Sequence, residues 1–153
     1  LGYMTDSVRQ LVLDSGFPGM KVLEFAFDPR EKTNYLPHSY DRNCIVYTGT
    51  HDNETLTGWF KGISKEERKM ARDYLNNHFT SDEELYWCFI CEVMKSHAHM
   101  CIIPMQDYLE LGEEARLNMP STLGSNWAWR MEKDACTDAL AKRMAELVRI
   151  YKR

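Results

Sequence analysis

The stretch Cys44-Ile-Val-Tyr-Thr-Gly-Thr-His-Asp-Asn53 decides the fold. Its β-branched, apolar start predicts a buried parallel strand from about Cys44 to Thr50, ending on Gly49 and Thr50. His51, Asp52 and Asn53 follow at once, so the strand delivers three side chains with different donor and acceptor patterns to one end of a sheet. In α/β barrels the residues just past a strand's C-terminal end carry the chemistry. A carboxylate there can accept from two vicinal hydroxyls while a neutral histidine donates a third bond, a pattern suited to a polyhydroxylated ligand. The plainer alternative is a capped loop in which Asp52 or Asn53 starts the next helix. Gly49 lets a ligand or a neighbouring side chain approach the backbone.

Working outward, strands and helices alternate. Thr5 and Asp6 are N-cap types, Val8, Leu11, Val12 and Ser15 follow at helical spacing, and Gly16 and Pro18 stop that helix. Met20 to Phe27 is apolar on both alternating faces and predicts a strand covered on each side, with Glu24 as its polar interruption. Asp28 to Asn43 is a polar loop with Pro29 and Pro37, long enough to suggest a role in binding. Thr55 to Phe60 predicts a short helix. Ser64-x-x-Glu67 is a capping box opening a helix to about Asn76, with Met70, Ala71, Tyr74 and Leu75 inward, and Ser81-x-x-Glu84 opens a buried helix through Met94. Met100 to Met105 predicts a third strand, closed by Gln106-Asp107. A loop with Trp127 and Trp129 follows. An amphipathic helix from about Thr137 ends the chain, with Leu140, Met144, Leu147, Val148 and Tyr151 on one face.

Such an order argues for parallel β/α units. Three strands alone would leave both edges open and the apolar faces under-covered, so the reading is an α/β fold that lacks pieces. The chain begins with Leu1 rather than Met, which fits a piece of a longer protein.

Composition narrows the function. The 153 residues are 44% apolar and 12% aromatic, enough for a globular core. The net charge of −4, with Lys and Arg scattered, offers no basic stripe, so neither nucleic acid nor a membrane surface is an expected partner. No apolar stretch is long enough to span a bilayer, and no signal pattern opens the chain. Five cysteines, odd in number and mostly in apolar surroundings, fit reduced thiols in a cytoplasmic protein.

Three further constellations stand out. Glu24 is either a second carboxylate aimed into a shared pocket or a hydrogen-bonded polar residue packed inside the fold, and the second is preferred. Cys88-Phe-Ile-Cys91 with His97 and His99 offers four zinc ligand types. The cysteine pair lies within a buried helical pattern instead of a tight turn, and a metal site is rejected. In the loop from Asn118 to Arg130, Asn126 can read hydroxyls and Trp127 can stack on a pyranose ring, while Trp129 is expected to anchor the loop on the core.

Taken together, several strings resemble one family. Phe17-Pro-Gly-Met-Lys-Val-Leu-Glu-Phe-Ala-Phe27, Tyr47-Thr-Gly-Thr-His-Asp-Asn53 and Gly124-Ser-Asn-Trp-Ala-Trp-Arg130 look like the 4-α-glucanotransferases, also called amylomaltases or disproportionating enzymes. Ile103-Pro-Met-Gln-Asp107 and Ala115-Arg-Leu-Asn-Met-Pro120 resemble further segments in the right order. The resemblance implies a (β/α)8 TIM barrel of which this chain supplies roughly the last three β/α units plus a C-terminal helix, as one segment over residues 1–153. It implies a retaining transfer of α-1,4-glucan segments between maltooligosaccharides, without a cofactor. Asp52 matches the family's transition-state-stabilising carboxylate, His51 its hydroxyl-binding neighbour, and Asn126 and Trp127 fall where the sugar subsites are expected.

The nucleophile and the acid/base have no match here, and Leu1-Gly2 resemble the end of the acid/base motif. Such a barrel needs roughly 250 residues, so the chain is expected to be inactive without the N-terminal part of the barrel. Glu24 departs from the family, where Gln is expected. The alternatives are a non-catalytic sugar-binding or interaction fragment and another α-amylase-family hydrolase; a zinc module stands last.

Overall fold

In the computed structural model, residues 5–30 and 35–153 are described. The fold is α/β. Three short parallel strands, β1 (Gly19–Val22), β2 (Cys44–Tyr47) and β3 (Met100–Ile102), form one sheet in that order. Gly19 pairs with Cys44 and Val22 with Tyr47, while Ile45 pairs with Met100 and Tyr47 with Ile102. All strands run the same way, so the segments after Val22, Tyr47 and Ile102 meet at one end.

The strands are shorter than their apolar runs, for a physical reason in each case. Beyond Val22 the buried apolar residues are Leu23, Ala26 and Phe27, a spacing of three and four that only a helical turn can point into one core. Leu23–Phe25 is accordingly a 3-10 turn, and the expected strand to Phe27 is half a strand and half a turn. β3 stops before Pro104, whose ring nitrogen cannot continue the ladder, and the short helix α5 (Met105–Tyr108) starts there.

Helices α2 (Leu56–Gly62), α3 (Lys65–Leu75), α4 (Leu85–Lys95) and α6 (Asp138–Tyr151) follow β2 and β3. The core lies between the sheet and these helices. Cys44 and Val46 of β2 meet Leu56, Phe60, Ala71, Phe89, Ile90 and Val93 there. Phe27 is its hub, with the rings of Trp59, Tyr74 and Phe89 at centroid distances of 5.9, 5.8 and 5.7 Å. Phe27 and Phe89 are fully buried and contribute about 1.5–3 kcal/mol each, while Trp59 and Tyr74 are partly buried.

The other sheet face is also apolar yet open. Met20, Met100 and Ile102 are all exposed to a substantial degree. The expectation of strands covered on both sides therefore holds for one face only. Helix α1 (Asp6–Ser15), capped by Thr5 and ended by Gly16 at φ +68°, buries none of its residues, so Val8 and Leu11 face outward too.

Caps follow the sequence closely in one helix and loosely in another. Ser64 Oγ accepts from Glu67 N at 3.2 Å and Glu67 Oε2 accepts from Ser64 N at 2.8 Å, the full capping box. At Ser81 only one half forms, a long 3.4 Å bond from Glu84 N to Ser81 Oγ, and α4 starts later, at Leu85. Asp82 is taken instead by Arg68 (3.1 Å) and Arg72 (2.5 Å), which hold this segment against α3.

In α6 only Leu147 is fully buried. Val148 is exposed because, at 100° per residue, it lies at the margin of the stripe set by Leu140, Met144, Leu147 and Tyr151. Arg153 ties the end of α6 to the end of α4, donating to the carbonyls of Met94, Ser96 and Ala98.

Candidate functional site

The Thr48–Asn53 segment leaves β2 and turns sharply. Asn53 N donates to Thr50 O (3.1 Å), and Asn53 Oδ1 accepts from both Thr50 N (3.0 Å) and Thr50 Oγ1 (2.7 Å). This Asx-type closure explains why Asn follows Asp here, since its side chain substitutes for the lost strand pairing. Thr50 Oγ1 in turn accepts from Asp52 N at 3.3 Å. The turn lifts His51 and Asp52 clear of the fold, with side chains 55% and 49% exposed and His51 Nε2 3.3 Å from Asp52 Oδ1.

Two residues that carried no role in the sequence reading hold this turn from the far side. Asn118 donates its own N–H to His51 O (3.1 Å) and its Nδ2 to Asp52 Oδ1 (2.7 Å). Arg116 donates to Asp52 O (2.8 Å), to Asn118 O (3.0 Å) and to Glu54 Oε2 (3.3 Å). Asp52 Oδ1 is thus engaged, while among the described residues no side chain donates to Oδ2. The Ala115-to-Pro120 string was visible in the sequence, but no spacing rule connects residues 116 and 118 with residue 52.

Trp127 arrives from the last loop. Its N–H donates to Leu117 O at 2.7 Å, and its φ of +64° is a left-handed conformation that bulky residues rarely adopt. The strained backbone presents a half-exposed indole to the His51 ring, 5.1 Å away between centroids. Asn126, expected to read hydroxyls, commits its amide to its own loop: Oδ1 accepts from Met119 N (2.9 Å), and Nδ2 donates to Met119 O, Thr122 O and Thr122 Oγ1. It shapes the loop that carries Trp127. Trp129 is half-buried but stands apart from the core cluster that it was expected to join.

Beneath His51 lies a cavity of about 380 Å³ on the open face of the sheet, walled by Met20, Tyr47, Ile102, Gln106 and Leu117 among others. Asp107 lines it, and Glu24 lies behind Gly49. Asp107, only 1% exposed, accepts from Thr48 Oγ1 (2.5 Å) and Leu56 N (2.8 Å), joining the end of β2 to the start of α2. Burial outweighs both bonds and pushes its pKa up to about 6. Glu24 lies beside it, buried, in the space left by Gly49. The neighbour that Gly49 admits is therefore a side chain of the same protein.

The remaining expectations fall elsewhere. The motif assigned to Leu1 and Gly2 lies outside the described residues. So do residues 31–34 of the suggested binding loop, whose described part packs down: Tyr40 donates its hydroxyl to Tyr35 O (2.6 Å), and His38 N donates to Tyr74 Oη (3.0 Å). Cys88 and Cys91 are free thiols on α4, engaged by Asn77 and Tyr151 respectively. Among the described residues no group of His, Cys, Asp and Glu converges as a metal site, and no helix is long and apolar enough to cross a membrane.

This geometry can be set beside known proteins. The chain is 47% identical over its whole length to a 4-alpha-glucanotransferase of Clostridium butyricum, of which it covers 31%. Over 86% of its length it is 43% identical to a 4-alpha-glucanotransferase of Thermus thermophilus, covering 27% of that protein. Its fold superposes over its full length on 31% of an amylomaltase from Streptococcus agalactiae solved in complex with acarbose, with a TM-score of 0.92 and 36% identity. The chain thus spans about a third of the length of the relatives it matches. The family model described as 4-alpha-glucanotransferase matches residues 1–137, and with the sequence identity and the fold in agreement, this chain belongs to the 4-alpha-glucanotransferase family.

Proposed function

We propose that this chain is a C-terminal segment of the catalytic (β/α)8 barrel of a retaining 4-α-glucanotransferase, supplying roughly its last three β/α units and the closing helix. The parallel order of β1, β2 and β3, with one face under helices and the other apolar and open, supports a barrel sector. In a closed barrel that open face becomes the interior. The enzyme takes α-1,4-glucans or maltooligosaccharides as donor and acceptor and works with the N-terminal part of the barrel, which on this reading contributes the nucleophile and the acid/base. No cofactor enters the scheme. The free thiols support a reducing compartment such as the cytoplasm, although some relatives are chloroplastic.

One observation carries the assignment of roles. Asp52 has one carboxylate oxygen fixed by Asn118 and the other directed to no protein donor among the described residues. A carboxylate held in this way can accept from sugar hydroxyls, and such bonds strengthen as the ring flattens toward an oxocarbenium-like transition state. His51 grips the same sugar, Trp127 offers a stacking face, and Asn126 acts by fixing the loop from which Trp127 projects.

Incubation of maltotriose with the protein that carries this segment tests the reading. Glucose together with longer maltodextrins is the expected product pattern. Hydrolysis to small sugars alone would move the protein to the amylase-type hydrolases, and binding without turnover to the sugar-binding modules.

A further inference from the structure

A single guanidinium holds both partners of the Asp52–Asn118 bond. Arg116 Nη2 donates to Asp52 O (2.8 Å) and Nε to Asn118 O (3.0 Å), while Asn118 Nδ2 donates to Asp52 Oδ1 (2.7 Å). The turn after β2 and the segment that enters the last loop are thus joined at two backbone carbonyls and one carboxylate. The third guanidinium nitrogen, Nη1, donates to Glu54 Oε2 at 3.3 Å, and the side chains of this ion pair are 22% and 20% exposed.

Glu54 is itself seated. Its Oε1 accepts from Thr55 N at 2.9 Å, and Thr55 caps α2 by accepting from Gly58 N. Gly58 leaves the room for this carboxylate: a Cβ there would lie 2.8 Å from Glu54 Cγ, 2.9 Å from Oε1 and 3.0 Å from Cδ. Gly58 lies within α2 and is not at positive φ, so backbone conformation does not call for a glycine, and glycine weakens a helix interior. The close approach of Glu54 accounts for it. A run of hydrogen bonds and contacts therefore leads from Gly58 through Glu54 and Arg116 to Asp52 and Asn118.

We infer that Arg116 is a positioning residue for Asp52, and that Glu54, admitted by Gly58, sets its guanidinium in place. By fixing the Asp52 carbonyl and the Asn118 backbone together, Arg116 holds the Asp52 carboxylate with Oδ1 on Asn118 and Oδ2 left for a sugar hydroxyl. It acts through these two residues and not on the reacting atoms. The inference rests on the reading of Asp52 given above. The planar fork of arginine suits three acceptors in different directions, whereas a lysine ammonium is a point charge that cannot span them.

The test is made in the protein that carries this segment. Arg116→Ala should lower kcat of the maltotriose reaction about 10²-fold with KM little changed, the scale of a misplacement of about 1 Å near the chemistry. Arg116→Lys keeps the charge but loses the fork, and its kcat should fall about as far. Gly58→Ala, which helix propensity alone favours, should lower kcat about tenfold by displacing Glu54. Added to Arg116→Ala it should have no further effect, because both changes break the same brace. The side-chain amide resonance of Asn118 should leave its bonded position in Arg116→Lys.

Full kcat in Arg116→Lys overturns the inference, since charge alone would then suffice. A rise in KM at unchanged kcat overturns it too, by making Arg116 a ligand contact. So does an additive effect of Gly58→Ala on Arg116→Ala, or an Asn118 resonance that stays in place. A parent protein without transfer activity would sink the functional reading instead, while the Asn118 resonance would still decide whether Arg116 holds the Asp52 turn. If Arg116→Ala fails to fold, Arg116→Lys replaces it in each comparison.

Discussion

Asp52 and Asp107 are aspartates on the same end of the same sheet, and they live in opposite conditions. Asp52 stands half-exposed on a turn, with one oxygen fixed by Asn118. Asp107 is sealed at the base of the cavity, with Thr48 and Leu56 using both of its oxygens. Among the described residues the upper carboxylate keeps a free acceptor. The lower one has spent its acceptors on joining β2, α2 and α5, and solvent exclusion holds its pKa at about 6. Proximity to a site is therefore a poor guide to function; what matters is whether a group's hydrogen-bonding capacity is still available.

The sharpest way to break this contrast is Asp52→Asn. On the proposed reading it should lower turnover about 10³-fold, the scale of losing a group whose bonds strengthen in the transition state, while ligand dissociation constants change far less. Its melting temperature should stay near that of the parent, since exposed substitutions shift stability by about 0.5 kcal/mol or less. A large drop in stability or an unchanged turnover would erase the distinction between the two aspartates.

Asp107→Ala should behave in the opposite manner. It leaves the Thr48 hydroxyl and the Leu56 N–H buried without an acceptor, at a cost of about 2–3 kcal/mol that a denaturant titration would read. The pH dependence has a definite sign. The pKa of Asp107 rises from 3.8 to about 6 on folding, so its contribution to stability is complete below 3.8 and is lost as pH climbs toward about 6. Stability measured across that window should lose this downward slope in Asp107→Ala. Retention of the slope would mean that another group carries it.

Smaller effects test the connection between the tiers. Asn118→Ala frees Asp52 Oδ1 and should lower kcat about tenfold with little change in melting temperature. Trp127→Ala should raise KM by about tenfold, as loss of one stacking face does, and leave the left-handed strain at residue 127 in place, because alanine keeps the Cβ. The smallest expected effect concerns stability at Glu24. Its carboxyl is raised on folding, so stability falls as pH rises above the ordinary range, and Glu24→Gln should melt higher than the parent at alkaline pH but not at acid pH.

Much of this was legible along the chain. The strand leading to His51-Asp52, the capping box at Ser64, the helix start at about Thr137 and the stop at Gly16 all form where local chemistry places them. The failures are instructive. Met20 to Phe27 alternates like a strand, but Leu23, Ala26 and Phe27 share one core at helical spacing, and tertiary burial won over the pattern. At Ser81 the capping box lost its anchor because Asp82 found two arginines on another helix.

The site divides in the same way. His51, Asp52 and Trp127 could be named from residue type and resemblance. Asn118 and Arg116 could not, because their partners lie more than sixty positions away and hydrogen bonds at that range leave no periodic trace in sequence. Asn126 was readable as a polar loop residue, yet only its contacts reveal that its amide is turned inward on Met119 and Thr122.

By itself, then, the sequence determined what is local: which runs are strands and helices, where turns must fall, and which side chains arrive together past the end of β2. It also supplied the family, because that likeness is written in ordered strings of residues. The tertiary structure alone decided which groups are free and which are spent. Among the described residues Asp52 keeps an oxygen, Asp107 keeps none, and Glu24 has one without a donor. Hydrogen-bond saturation and solvent exclusion are properties of neighbours in space, and the chain acquires those neighbours only when the sheet closes on its helices.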